Sequence, residues 1–213
     1  MRKPNIYGGG SKTNKNGLSF EGRTHFINSL KENDNFTLKK VPNFKKTYEV
    51  YFKKKKQGYY TEKHEFYNFF LNNERVEWKN KISKQYLPDA VFINKNKGIV
   101  FVIEKKFQAG SGSVDEKLQT CDFKKKIFSK IISNCNNNYK VEYFYLLNDW
   151  YEKKEYKDVK EYIKSVGCNY FINEINFDKL GINWKNKFDQ NFYQIKELKI
   201  WSYLLIKKNF LIK

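Results

Sequence analysis

Residues 86–106 read YLPDAVFINKNKGIVFVIEKK. Two runs of β-favouring residues, LPDAVFI and IVFVIEKK, flank the turn-rich pentapeptide NKNKG, which is the pattern of an antiparallel hairpin. The second run is apolar from Ile99 to Ile103 without alternation, as expected of a central strand covered on both faces. Charge enters only where the run ends, at Glu104, Lys105 and Lys106. If the hairpin turns about the middle of 94–98, the numbers of paired residues sum to about 192. That sets Asp89 opposite Ile103 or, with one residue of slip, opposite Glu104. Glu104 and Lys106 stand two apart on one strand and leave the same face, whereas Lys105 points the other way. Two acids and a lysine at the open end of an apolar hairpin are costly to desolvate unless they pair or hold a metal, so their placement marks a site.

Downstream, after the loop QAGSG, Ser113-Val114-Asp115-Glu116 has the form of a capping box and predicts a helix running through LQTCDFKKKIFSKII until NCNNN breaks it. Residues 141–147 read as a strand, 151–165 as an amphipathic helix closed by Gly167, and 169–172 as a short further strand. Upstream, 62–72 reads as an aromatic-faced helix and 47–52 as a strand. The lysine run 53–56 with Gly58 reads as a solvated turn, and 18–31 as a first helix carrying Glu21. Beyond 183 the spacing of Trp184, Phe188, Phe192 and Ile195 suggests further helix, and 198–211 fits strand or helix. The whole reads as one α/β domain, a mixed sheet of four to five strands flanked by helices, with a basic glycine-rich arm at 1–17, a core at 86–172 and an extension at 183–213.

Lys and Arg number 42 against 23 Asp and Glu, a formal charge of +19 that would attract a polyanion, nucleic acid first among them. A lysine-rich coding bias is the plain alternative, since Asn, Ile, Phe and Tyr are abundant too. The arm GGGSKTNKNG, the lysines after Phe52, and Lys124, Lys125 and Lys126 are candidates to follow phosphates. Cys121, Cys135 and Cys168 form no CxxC pair and are odd in number, which points to a reducing cytoplasm. The sequence shows neither a signal peptide nor an apolar run of membrane-spanning length. With His25 and His64 as the only histidines, a zinc centre is poorly supported.

Pro88-Asp89 followed 15 positions on by Glu104-Lys105-Lys106 resembles the PD-(D/E)xK nuclease superfamily, and the block IEKKFQAGSGSVDEKLQT looks like its type II restriction endonucleases. The resemblance covers residues 88–149. It implies a restriction-endonuclease-like core and Mg2+ held by Asp89 and Glu104. Lys106 would position the attacking water and stabilise the charged transition state. An acid on a preceding helix would add to the site, Glu21 first and Glu65 as the substitute. Gln119, about one turn into the helix after the hairpin, would orient the lysine or a phosphate, and Ser111 and Ser113 lie near that helix start. It further implies double-stranded DNA as substrate, a homodimer, a companion DNA methyltransferase and no membrane. The rival readings are a repair or phage nuclease on the same core, a non-catalytic basic nucleic-acid-binding protein, and a toxin RNase.

Overall fold

The predicted hairpin forms: strand β4 (Ala90–Asn94) runs antiparallel to β5 (Ile99–Lys106), with Ala90 opposite Ile103 and Asn94 opposite Ile99. The computed structural model describes residues 26–109, 114–133, 135 and 137–182. The chain parts into two compact units, Met1–Gly181 and Ile182–Lys213, and the hairpin belongs to the first. Glu21, the arm 1–17, Ser111, Ser113 and the extension 183–213 lie outside the described residues.

Around the hairpin lies an α/β fold with one seven-stranded mixed sheet, its strands side by side in chain order. β1 (Phe36–Lys40), β2 (Tyr48–Phe52), β3 (Lys55–Thr61), β4 and β5 are mutually antiparallel. β6 (Lys140–Leu147) and β7 (Asn169–Ile172) continue parallel to β5. A parallel step needs a crossover, and helices provide both. α2 (Val114–Leu118) and α3 (Cys121–Ile132) join β5 to β6, and α4 (Lys157–Ser165) joins β6 to β7. A short α1 (Phe26–Lys31) precedes β1.

Seven strands replace the expected four to five, and the reason lies in the lysines. β1 is mostly exposed and carries Lys39 and Lys40 outward, a composition that suits a sheet edge and hides a strand from a hydrophobic-run reading. Between β2 and β3 the turn narrows to Lys53 and Lys54, with φ of 48° and 66°, so Lys55 and Lys56 belong to β3. Positive φ at both turn residues matches the twist of a tight hairpin, but lysines seldom occupy such positions, and the run reads as open loop.

The helices also differ in detail. The segment Phe66–Leu71 winds as a wide π-type turn rather than an α-helix and buries Phe66, Tyr67, Phe69, Phe70 and Leu71. The single long helix expected after residue 113 is two, because Gln119 and Thr120 leave the α path. The Thr120 hydroxyl donates to the Lys117 carbonyl (2.7 Å), taking an acceptor from the helix ladder. The helix expected from 151 begins only at Lys157, after tight turns at Asp149–Glu152 and Lys154–Tyr156.

Both faces of the central strands are covered. Val91, Ile93, Val100, Val102, Tyr143 and Tyr145 pack under Phe66, Phe70, Phe128 and Ile131. On the other face Phe92, Phe101, Phe144 and Phe171 form a chain of ring contacts 5.1 to 6.2 Å apart. Among the described residues no helix is long and apolar enough to cross a membrane.

Candidate active site

Asp89 and Glu104 stand one step beyond the last hairpin pair, Ala90 with Ile103, so the register carries the one-residue slip and sets the two carboxylates opposite each other. Both project on the face of Val91 and Val102, the face covered by α3. The peptide N–H of Lys105 donates to Asp89 Oδ2 (2.8 Å), tying the two strands together beside the site. Lys106 Nζ lies 2.6 Å from Glu104 Oε1, the same-face contact that their spacing predicts. Glu104 and Lys105 are both buried, although the two side chains leave opposite faces of β5.

Two further lysines complete the cluster. Lys63, just past β3, forms an ion pair with Asp89 Oδ1. Lys124, near the start of α3, donates to Glu104 Oε1 at 2.7 Å. Nothing in the local sequence pattern marks Lys63. Lys124, Lys125 and Lys126, alike as candidates to follow phosphates, part company in the fold. Lys125 donates to the Gly167 carbonyl (2.6 Å), and Lys126 pairs with Asp122 one helical turn away (2.7 Å). The sequence signal for Lys124 would have been its position one turn into a helix that follows the E-x-K strand.

Segment 63–67 grips the approach to Asp89. The Lys63 N–H donates to the Pro88 carbonyl (3.0 Å), and His64 Nδ1 meets Gln85 Oε1 at 2.9 Å. The Tyr67 hydroxyl accepts from the Tyr86 N–H and donates to the Tyr86 carbonyl, both at 3.0 Å. Beyond Lys106, Asn148 at the end of β6 accepts from the Gln108 N–H (3.0 Å) and donates to its carbonyl (2.9 Å), anchoring the exit of β5. The site therefore sits where β3, β5 and β6 end and β4 begins, at one end of the sheet.

The remaining candidates lie elsewhere. The Glu65 carboxylate accepts from the N–H groups of Lys45 and Lys46 (2.9 and 2.8 Å) and from the Thr47 hydroxyl (2.8 Å), so it clamps the β1–β2 loop. Gln119, in the break between α2 and α3, is exposed and lines a separate cleft of about 710 Å3 with Glu155, Tyr156, Asp158, Val159 and Tyr162. The helix break explains its displacement from the expected position. Glu62 is buried beside the end of β3, accepts from the Tyr60 hydroxyl (2.6 Å) and pairs with Lys46 (3.1 Å). Burial first, and then the charge of Glu62, push that hydroxyl well above its ordinary pKa, with a further contribution from Asp89.

Burial would raise the Asp89 pKa, but the Lys63 ammonium, the Lys105 N–H and the charge of Lys106 together outweigh it and hold the carboxyl below the usual carboxylate range. A carboxyl that titrates lower in the native than in the unfolded state stabilises the fold above its unfolded pKa of about 3.9. That stabilisation drains away as pH falls through the lower native value. Urea midpoints measured from pH 6 down to pH 3 should therefore fall more steeply for the wild type than for Asp89→Asn, and parallel curves would contradict this electrostatic account.

Two acceptor-only carboxylates side by side suit a hard divalent cation such as Mg2+, which proteins commonly hold with one or two carboxylates together with substrate phosphate and water. Among the described residues no group of three or more His, Cys, Asp or Glu comes together to form a closed metal cage. Among the described residues two acids face three lysines, an excess of positive charge even without a metal that suits a phosphate. Compared with models of protein families, with curated proteins and with solved structures, the chain matches none of them.

Proposed function

We propose that the chain is a Mg2+-dependent endonuclease of the PD-(D/E)xK type that hydrolyses phosphodiester bonds of double-stranded DNA in a sequence-specific manner, as type II restriction enzymes do. The observation that carries this reading is the meeting of Asp89, Glu104 and Lys106 at one end of the β4–β5 hairpin, with Lys106 Nζ 2.6 Å from Glu104. Three antiparallel strands, a helical crossover and a parallel strand form the order in which a restriction-endonuclease-like core would present these groups. The charge of +19 supports a polyanionic substrate.

In this reading Asp89 and Glu104 hold Mg2+, which when bound supplies Lewis-acid stabilisation of the phosphate's negative charge. Lys106 orients the attacking water and faces the charge that develops on the phosphate oxygens. Lys63 and Lys124, ion-paired to the two acids before substrate arrives, turn to the phosphate once the acids are engaged. Cleavage of both strands calls for two such centres, hence a homodimer. A restriction role calls for a companion methyltransferase in the same cytoplasm.

A non-catalytic DNA-binding reading has one observation in its favour, since Lys63, Lys106 and Lys124 already neutralise both acids as structural ion pairs do. Incubation with unmethylated plasmid and phage DNA separates the two. Discrete bands with Mg2+, lost in EDTA, are expected from the wild type. Lys106→Ala should cleave on the order of 10²–10³-fold more slowly. It should bind DNA almost as well, because Lys124 still faces Glu104. A gel shift without cleavage in either Mg2+ or Mn2+ would turn the assignment to the binding protein, and a smear would keep the chemistry without the specificity.

A further inference from the structure

Two of the largest exposed apolar side chains flank the site: Leu87, 37% exposed, two residues before Asp89, and Phe123, 53% exposed, immediately before Lys124. The ring of Tyr86 bridges toward them, edge-to-face with Phe123 at 5.6 Å between centroids. Lys84 Nζ stands 5.4 Å from the centroid of the same Tyr86 ring. The ridge is anchored at Tyr86, whose backbone N–H and carbonyl are both held by the Tyr67 hydroxyl, and the Tyr67 ring is itself braced against Trp78 (5.4 Å).

A preorganised aromatic and aliphatic surface at the mouth of a cluster with excess positive charge matches one chemical partner well, a nucleobase whose own phosphate reaches the lysines. Base stacking on an exposed ring is tolerant of sequence, and an apolar side chain set beside it is suited to prising bases apart. The alternative fit, a second copy of this chain, would bring together two molecules of formal charge +19 at a lysine-bearing surface.

We propose that Tyr86, Leu87 and Phe123 form a stacking ledge for a nucleobase unstacked from the strand next to the phosphate drawn to Lys63, Lys106 and Lys124, so that the protein favours DNA with an unpaired nucleotide there. This rests on the reading of the carboxylate–lysine cluster as a phosphate-holding site. The ledge receives the base, Lys84 and Lys124 receive its flanking phosphates, and Leu87 fills the gap left in the stack.

The test is binding without cleavage. Fluorescence anisotropy in EDTA would compare a labelled duplex with the same duplex carrying a single-nucleotide bulge, for wild type, Phe123→Ser and Leu87→Ser. Both substitutions fall on exposed side chains, and a thermal melt verifies the fold. The wild type is expected to bind the bulged DNA at least about 5-fold more tightly, and each variant to lose most of that preference while its affinity for the paired duplex stays within about 2-fold. Equal losses on both DNAs, no loss on either, or a change in sedimentation in place of a change in DNA binding would overturn the ledge. Because the readout needs no cleavage, a protein that never cuts DNA but keeps the preference would retire the nuclease reading alone. One that cuts but shows no preference would retire the ledge alone.

Discussion

Asp89→Asn and Glu104→Gln are each expected to reduce Mg2+-dependent DNA cleavage on the order of 10³-fold or more, with the double variant scarcely worse than either alone. Both amides keep the shape of the acid and remove the charge that holds the divalent cation, and groups that act as one unit do not contribute additively. The two variants should part in stability. Asp89→Asn leaves behind Lys63, whose side chain is 42% exposed and can hydrate, so at neutral pH the protein should melt only modestly below wild type, by what the ionised carboxylate supplies. Glu104→Gln leaves Lys106 and Lys124, only 15% and 25% exposed, converging on an uncharged amide. Two largely desolvated ammonium groups without their counter-charge should cost about 3 kcal/mol. Cleavage assays beside thermal melts check both claims. Wild-type cleavage by a folded Asp89→Asn protein would remove that carboxylate from the chemistry.

Gly58→Ala should damage the fold more than its size suggests, by about 3 kcal/mol or more, the upper end for an overpacked site. Gly58 lies in β3 opposite Val50 on one side and Asn94 on the other, next to the irregularity between Val50 and Tyr51. A Cβ there would fall on the backbone carbonyl of Ile93 and crowd the N of Lys95. Neither neighbour is a side chain that can swing aside, so relief requires β3 and β4 to separate. Gly98→Ala is the control: its φ of 64° disfavours a side chain, but nothing stands within 4 Å of the new methyl. About 1 kcal/mol is expected there. Urea unfolding of the two variants should rank them clearly, and equal midpoints would refute the steric argument. Because β4 delivers Asp89, Gly58→Ala should also weaken cleavage by whatever protein remains folded.

The β4–β5 hairpin was readable because nothing in it contradicts itself. An unbroken apolar run, a turn of Asn, Lys and Gly, and charges held back to the end all agree, and the structure adds only the one-residue slip that sets Asp89 against Glu104. β6 and β7 were readable for the same reason. β1 and β3 were not, because Lys39, Lys40, Lys55 and Lys56 mask strands whose stability comes from pairing with neighbours rather than from their own pattern. The wide turn at Phe66–Leu71 was equally hidden, since an aromatic cluster buried almost all round gives no period by which to tell one helical winding from another. The capping-box pattern extends one helix through Gln119, but at the break the Lys117 carbonyl is taken by the Thr120 N–H, the Thr120 hydroxyl and the Tyr145 hydroxyl, contacts with no local sequence signature.

By itself the sequence determined the pairing of Glu104 with Lys106 and the nearness of Asp89, because both follow from the period of a pleated strand and the length of one turn. Only the tertiary structure decided that Lys63 neutralises Asp89, that Lys124 joins Lys106 on Glu104, and that Glu65 closes a loop instead of entering the site. Those partners lie 26, 20 and 19 positions apart in the chain. No local period links residues at such separations; they meet because burial of the aromatic core sets segment 63–67 and α3 against one end of the sheet.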